Sequence, residues 1–205
     1  MKKYLILFFA IICLTCSCSN GNATIIPGEI NAKEKTYESE YLEIACTLPN
    51  NWLMYAQSLV AKNNGINKEK MEGADVESML ADENVGLCYD MLARSNDSYN
   101  SIDIIYQEYP YDSVGYGESA FAQSMAEEIP KSLVNYGITD STAKVEEVTF
   151  AGRKCYTVKI IGTSNNNKIY EQQVYIIKDN YMAIITFKSW QKDCLSEMMK
   201  YFRKV

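Results

Sequence analysis

Apolar and polar residues alternate along several stretches of this chain, which is the pattern of β-strands with one buried face. In residues 40–48, EYLEIACTL, every second residue from Leu42 to Leu48 is apolar. Pro49 and the pair Asn50-Asn51 follow directly, and these residue types favour a turn over a continued strand. Residues 40–48 are therefore predicted to form the first strand.

Six further segments have the same strand character, and most connections between them are short. Gly, Asn and Asp dominate several of the connections, such as GTSNNNK before residue 169 and KDN before residue 181. Tight turns between consecutive strands are typical of an antiparallel meander. The predicted strands are residues 85–93, 101–109, 143–150, 153–162, 168–178 and 180–188.

Three segments show helical features. Asn67 is a suitable N-cap for a helix over residues 68–81. Residues 119–135 carry apolar side chains at four-residue intervals, although Pro130 is expected to kink or divide that helix. A third helix is predicted over residues 191–203, where apolar residues from Cys194 to Phe202 form one face.

The order of elements is strand, helix, two strands, helix, four strands, helix. Runs of paired strands with few crossovers indicate an α+β fold rather than a doubly wound parallel sheet. We therefore expect a central antiparallel sheet of about six or seven strands, flanked by helices on both faces. No repeat or second-domain boundary is visible.

The N-terminus has the features of an export signal. Lys2 and Lys3 precede the apolar stretch YLILFFAIICL at residues 4–14. That stretch is shorter than the roughly 20 residues a spanning helix needs, but it fits the apolar core of a secretory signal peptide.

The sequence that follows, LTCSC at residues 14–18, resembles the lipobox of bacterial lipoproteins, in which a small residue precedes a lipidated cysteine. Ser17 before Cys18 fits this position better than Thr15 before Cys16. Cys18 is the predicted lipid attachment site and Cys16 the second choice. The alternative is an ordinary cleaved signal with incidental cysteines.

This reading divides the chain into three parts. Residues 1–17 are a lipoprotein signal peptide, and residues 18–37 are a lipid-anchored tether because they are mostly polar with Gly and Pro breakers. Residues 38–205 are the α+β domain. The membrane, reached through the lipid anchor, is therefore a predicted partner, on the extracytoplasmic face of the cell membrane.

Charge and composition narrow the function classes. The 205-residue chain has a formal charge of −6 and no histidine. Removing residues 1–17 takes away Lys2 and Lys3 and no acid, which leaves 18 basic and 26 acidic residues and a charge of −8. An acidic domain does not attract nucleic acid, so we predict no nucleic-acid partner. The lack of histidine rules out Ser-His-Asp and Cys-His catalysis.

Four cysteines remain in the domain: Cys46, Cys88, Cys155 and Cys194. They are interpreted as core thiols, since they lie on apolar faces, with two disulfides as the alternative. No Cys-x-x-Cys spacing is present in the domain, and we predict neither a metal site nor a cofactor. Two Ser-x-x-Lys matches, STAK at 141–144 and SWQK at 189–192, lack the partner motifs of serine–lysine enzymes, so we predict no catalytic residues.

Residues 106–117, YQEYPYDSVGYG, concentrate tyrosines and acids around one proline. Tyrosine combines apolar area with a polar tip, as at many binding surfaces. This segment is the predicted binding patch, and the alternative is that its tyrosines pack against the sheet. The patch residues are Tyr106, Glu108, Tyr109, Tyr111 and Asp112.

Three motifs resemble one family. TLPNNW at 47–52, FAGRKCYTVKI at 150–160 and YEQQVYIIKDNYMAIITF at 170–187 are similar to exported Gram-positive domains of the PsbP-like class. The resemblance covers about residues 38–203 and implies an antiparallel sheet with helices on both sides. It implies no catalytic residues.

These observations together lead to one expectation of function. The chain is expected to be a surface-tethered lipoprotein with a non-catalytic binding or accessory domain. Its further partner would be a protein or a small molecule that the sequence does not identify. The alternative is a cell-envelope hydrolase that uses carboxylate or cysteine chemistry.

Overall fold

The computed structural model describes residues 25–66, 80, 87–109, 117–178 and 181–205. Two antiparallel sheets and three α-helices make up this part of the chain. The strands are β1 Glu29–Asn31, β2 Thr36–Ser39, β3 Ile44–Thr47, β4 Trp52–Met54, β5 Cys88–Ser95, β6 Asn100–Glu108, β7 Thr139–Phe150, β8 Arg153–Ser164, β9 Asn167–Lys178, β10 Tyr181–Trp190 and β11 Phe202–Lys204. The helices are α1 Gln57–Asn63, α2 Gly117–Leu133 and α3 Leu195–Met199.

The large sheet has seven strands in the order β4-β5-β6-β10-β9-β8-β7, and every pair is antiparallel. Strands β7 to β10 form the predicted meander, with left-handed residues Ala151 and Gly152 in one turn and Asn165 and Asn166 in the next. The α+β class and the antiparallel sheet of about seven strands are therefore confirmed.

A second, smaller sheet, in the order β1-β2-β3-β11, covers one face of the large sheet. The aromatic rings of Phe150, Phe187 and Phe202 meet there, with centroids 5.2 to 6.0 Å apart. The other face carries α2, which buries Ala122, Ile129 and Leu133 against a second apolar core. Alternate residues of the same strands thus serve two separate cores.

Helices lie on both faces as predicted, α2 on one and the short α3 on the other, and the small sheet covers most of the face that carries α3. Residues 191–203 do not form one helix: a short α3 buries Leu195 and Met198, and the chain then continues as β11. The reason is pairing, since Phe202 lies opposite Cys46 of β3 and both are buried. The predicted strand 40–48 is likewise interrupted by a turn, in which Glu43 has a φ of 56°.

The predicted tether boundary at residue 37 also differs from the structure. Ile25 is fully buried and Tyr37 is 1% exposed, and β1 and β2 lie between them. The folded part therefore includes residues 25–37, because the apolar residues in that segment pack into the core beneath the small sheet.

The helix predicted over 119–135 is present as α2, and it is continuous through Pro130. Pro130 lies in the last turn, so the hydrogen bond that its missing N–H would make is lost close to the helix end, and only three helical residues follow. The helix passes into a 3-10 turn, Val134–Tyr136, and ends at Gly137 with a left-handed φ of 73°. The helix predicted over 68–81 falls almost entirely outside the described residues.

A buried carboxylate joins the N-terminal segment to the large sheet. Asp90 of β5 is fully buried and accepts hydrogen bonds from the Gly28 N–H at 2.8 Å and the Tyr37 hydroxyl at 2.5 Å. A Cβ at Gly28 would stand 2.3 Å from the Tyr37 ring, so only glycine allows this close approach. Burial raises the pKa of Asp90 to about 6, although these hydrogen bonds hold it lower than burial alone would.

We predict that Asp90 makes the protein less stable as the pH rises from 4 to 6. The unfolded carboxyl has a pKa of about 3.9, so the folded state binds more protons in this window. The loss amounts to at most about 3 kcal/mol. The free energy of unfolding, measured with urea from pH 4 to pH 7, should fall less steeply with pH in Asp90→Asn than in the wild type.

The control for this titration is Asp97→Asn. Asp97 is an exposed hairpin carboxyl, and its hydrogen bond from Ser95 lowers its pKa, so its removal should leave the slope between pH 4 and pH 6 unchanged. Parallel slopes for the wild type and Asp90→Asn would contradict the assignment.

Candidate functional site

Strand alternation separates the residues of the predicted tyrosine patch. Tyr106 is fully buried beneath the small sheet, with its ring 6.1 Å from that of Tyr41. Tyr109 is 4% exposed and packs on the opposite face, 5.8 Å from Phe121. For these two residues the packing alternative is correct. Glu108 is exposed, and Tyr111 and Asp112 lie outside the described residues.

The four domain cysteines are free thiols, and Cys46, Cys88 and Cys155 are buried as predicted. Cys194 is half-buried against the core beneath the small sheet. Burial raises the pKa of Cys46 to about 12 and raises the pKa of Cys88 and of Cys155 as well. These three sulfurs are therefore protonated at neutral pH and are poor nucleophiles.

Neither Ser-x-x-Lys match brings a serine hydroxyl to a lysine amine. Ser141 and Lys144 lie on β7, where a three-residue separation places them on opposite faces, and the Ser141 hydroxyl donates to Pro130 O. Ser189 contacts the backbone carbonyl of Lys192 and lies 2.7 Å from Asn100 Oδ1. Both serines have structural contacts.

A band of polar side chains crosses the helix-bearing face of the large sheet. Thr186 of β10 lies opposite Asp103 of β6 and Gln173 of β9. Two residues further along β10, on the same face, Lys188 lies opposite Glu171. We call these five residues the polar band. They come from three strands, so the register of the sheet assembles them.

The polar band is held together by a chain of contacts. Lys188 Nζ lies 3.0 Å from Glu171 Oε2, and their side chains are 17% and 4% exposed. Gln173 donates from Nε2 to the other Glu171 oxygen at 2.7 Å. The Tyr175 hydroxyl donates to Gln173 Oε1 at 2.6 Å. The carboxylate of Glu171 is thus compensated on both oxygens.

The electrostatics of the band depend on one cation between two acids. Burial raises the pKa of Asp103 to about 6, the attraction of Lys188 opposes this rise, and Glu171 adds to it. Burial works against the charge of Lys188, yet its attraction to Glu171 and Asp103 raises the pKa of Lys188 above its ordinary value. Asp103 is therefore protonated at a higher pH than an ordinary aspartate.

A small depression lies at the end of the polar band. Glu171 and Lys188 contribute polar groups to it, and a cavity of about 20 Å³ between them and the apolar walls is large enough for one water molecule. The backbone N–H of Trp190 donates to the backbone carbonyl of Tyr99 at 2.9 Å, and Tyr99 is 46% exposed. The apolar lining consists of Leu133, Ile138, Ile160, Gly162, Ile169 and Trp190.

An exposed apolar residue follows the lining residue Leu133 directly in sequence: Val134, at the end of α2, is 62% exposed. Apolar walls with a few fixed polar groups are the usual composition of a binding site. A cavity for one water does not enclose a ligand, so a partner would lie across the rim.

Sequence reasoning missed the polar band. A signal was present, because Asp103 and Lys188 stand inside strands at positions where the alternation assigns a buried face. The juxtaposition of Glu171 and Lys188, however, depends on the register of β9 and β10, which composition and alternation do not specify.

Two further properties concern only the described residues. No group of three or more His, Cys, Asp or Glu side chains among them is arranged to hold a metal ion. No helix in the described ranges combines the length and apolarity needed to cross a membrane.

No protein-family profile matches the chain, and no curated protein matches it. Solved structures with a similar shape include a cyanobacterial PsbP, CyanoP from Synechocystis, at 14% identity and a TM-score of 0.46, covering 92% of this chain and 98% of that one. LpqN of Mycobacterium tuberculosis, involved in cell envelope biogenesis, has 10% identity and a TM-score of 0.40, covering 77% and 76%.

A protein from Bacteroides thetaiotaomicron has 9% identity and a TM-score of 0.39, covering 83% of this chain and 48% of that protein. The PsbP class named from the sequence motifs is thus represented among the similar structures. The likenesses are partial at these scores, and no functional conclusion rests on them.

We predict that Lys188→Met lowers the free energy of unfolding by about 3 kcal/mol at pH 7, because it leaves the Glu171 carboxylate buried without its counter-charge. It should also move the pKa of Asp103 above its wild-type value, because the attraction of Lys188 is lost. Urea unfolding and a carboxyl NMR titration measure the two effects.

The matched control is Lys154→Met, since the pair between Lys154 and Glu147 has side chains 80% and 48% exposed. Water solvates and screens an exposed pair, so its removal should cost much less than the loss of Lys188. Equal losses in both variants, together with an unchanged Asp103 titration, would show that the polar band lacks the assigned coupling.

Proposed function

We propose that this chain is an exported lipoprotein that presents a non-catalytic binding domain at the extracytoplasmic face of the cell membrane. The basic start, the apolar stretch at residues 4–14 and the lipobox-like sequence before Cys18 support export and lipidation. The membrane is then one partner, through acyl chains on Cys18, and two or more such chains give stable anchoring.

The folded part begins close to this anchor. Ile25 is already buried, so six residues, 19–24, separate it from Cys18. Fully extended, six residues span about 20 Å. The domain would therefore stay next to the bilayer surface, where it meets other envelope components.

The observation that carries the binding proposal is the ion pair of Glu171 and Lys188 in the wall of an apolar depression. Taking two charges partly out of water is expensive, and a core serves stability equally well with apolar residues. A charged floor beside exposed apolar groups instead suits recognition of a partner that has both polar and apolar surface. We infer a protein or another extended molecule lying across Trp190 and Val134.

The alternative of an envelope hydrolase receives no support from the contacts of the described residues. Its cysteine version needs a thiolate, and burial raises the pKa of three of the four domain thiols. Its carboxylate version needs two acids around an open cleft. Asp103 and Glu171 instead share one lysine beside a cavity that is large enough for only a single water molecule.

We predict that Cys18→Ser abolishes incorporation of labelled palmitate in cells, because the lipid is attached to that thiol. Cys16→Ser is the matched control, two residues away, and should retain the label. Continued labelling of Cys18→Ser together with loss of labelling in Cys16→Ser would move the attachment site to Cys16.

We predict that a photo-crosslinking residue in place of Val134 yields, in living cells, a crosslinked product whose mass is the same in every experiment. The same residue in place of Ile26, which is 66% exposed and lies near the small sheet, should not. Trp190→Ala should reduce the Val134 product, because it removes the aromatic part of the rim. A crosslinked product of twice the chain mass would contain a second copy of this chain and would not count as the binding partner.

Equal products at both positions would contradict this binding surface, and so would the absence of a product at Val134.

A further inference from the structure

One edge of the large sheet is long and unpaired. Strand β7, Thr139–Phe150, has 12 residues, and it pairs with β8 on one side only among the described residues. The opposite edge is β4, with just 3 residues. A long free edge presents backbone N–H and C=O groups that can pair with another strand.

The hairpin between β7 and β8 determines which backbone groups face outward. Ala151 and Gly152 both have positive φ, 47° and 81°, as in a two-residue type I′ turn. In such a hairpin Phe150 and Arg153 bond to each other, and the bonded positions then alternate along the strands. Because the register from residue 142 to residue 150 is regular, Ala143, Val145 and Glu147 direct their N–H and C=O groups away from β8.

Two charged side chains on this edge have no ion-pair partner among the described residues. Lys144 is exposed and lies opposite Lys159 of β8, which already pairs with Asp193 at 2.8 Å. Like charges in opposite positions are unfavourable. Glu146, two residues along on the same face, lies opposite the uncharged Thr157. Lys144 thus lacks an acid, and Glu146 lacks a base.

We propose that β7 pairs antiparallel with β7 of a second copy of this chain, about a two-fold axis at Val145. In this register the outward-facing residues Ala143, Val145 and Glu147 meet their counterparts and form about six backbone hydrogen bonds. Lys144 then lies opposite Glu146 of the partner subunit, and the pair occurs twice by symmetry.

The same charges oppose the neighbouring registers. A shift of the axis to residue 146 places Glu146 against Glu146 of the partner subunit, and a shift to residue 144 places two lysines together. Like charges directly opposite each other destabilise a strand pair. The unshifted register is thus favoured over both, and the two large sheets join into one continuous sheet.

The test is the mass of the full chain, measured by sedimentation equilibrium in density-matched detergent. The wild type should be a dimer at micromolar concentration. Lys144→Glu and Glu146→Lys should each weaken the dimer by at least about tenfold, because each places like charges opposite each other twice. The double variant Lys144→Glu/Glu146→Lys reverses both charges and should restore the dimer.

Val145→Pro gives an independent test of the backbone pairing. It removes an N–H that β8 does not use, a change that an edge strand tolerates, and it should abolish the dimer while the circular dichroism spectrum stays native. A monomeric wild type, a dimer insensitive to the single charge changes, or a double variant as weak as the singles would each overturn the proposal. The dimer does not require lipidation at Cys18. The proposal of a lipid anchor and the proposal of a dimer can therefore be disproved independently.

Discussion

The hydrogen bonds of Asp90 are the constraint on which the two-sheet arrangement depends. A carboxylate that is fully buried is costly unless donors surround it, and here the donors come from Gly28 and Tyr37 of the N-terminal segment. Without that segment Asp90 would be a buried acid with too few partners. The N-terminal segment therefore completes the core, and the carboxylate in turn fixes where the small sheet docks.

The two faces of the large sheet are covered by different elements. The small sheet and α3 bury one face, so apolar residues there contribute mainly to stability. On the opposite face α1 packs on β5 and α2 packs on β7, β8 and β9. The polar band runs across β6, β10 and β9, and its outer end, at Lys188 and Trp190, remains partly accessible.

The local sequence pattern predicted those elements that show a clear hydrophobic periodicity or end at typical turn residues. The turn at Asn165 and Asn166, the long strands on either side of it and helix α2 all follow from residues that are neighbours in sequence. Strands β1 and β11 have three residues each, too few for alternation to identify. They exist because Phe202 pairs opposite Cys46 and because Tyr37 reaches Asp90, contacts between residues far apart in the chain.

Sequence reasoning also assigned the binding site to tyrosines and missed the polar band, because contacts between residues far apart in the chain are not visible in the local pattern. Composition shows that tyrosines are close together in sequence, but strand parity sends Tyr106 and Tyr109 to opposite cores. The pair of Glu171 and Lys188 is invisible in composition, because only the register of β9 and β10 makes these residues neighbours. Sites built across strands need the pairing of the sheet before they can be recognised.

The two acids with raised pKa values have different consequences because they lie on opposite faces. Asp90 is sealed between the sheets, so its protonation can change only the stability of the fold. Asp103 is half-buried beside Lys188, so its protonation also changes the charge of the polar band. As the pH rises through about 6, the value expected for both carboxyls, the fold loses stability while the band gains a negative charge. A change in the charge of the polar band in this pH window that persists in Asp90→Asn is therefore expected from Asp103.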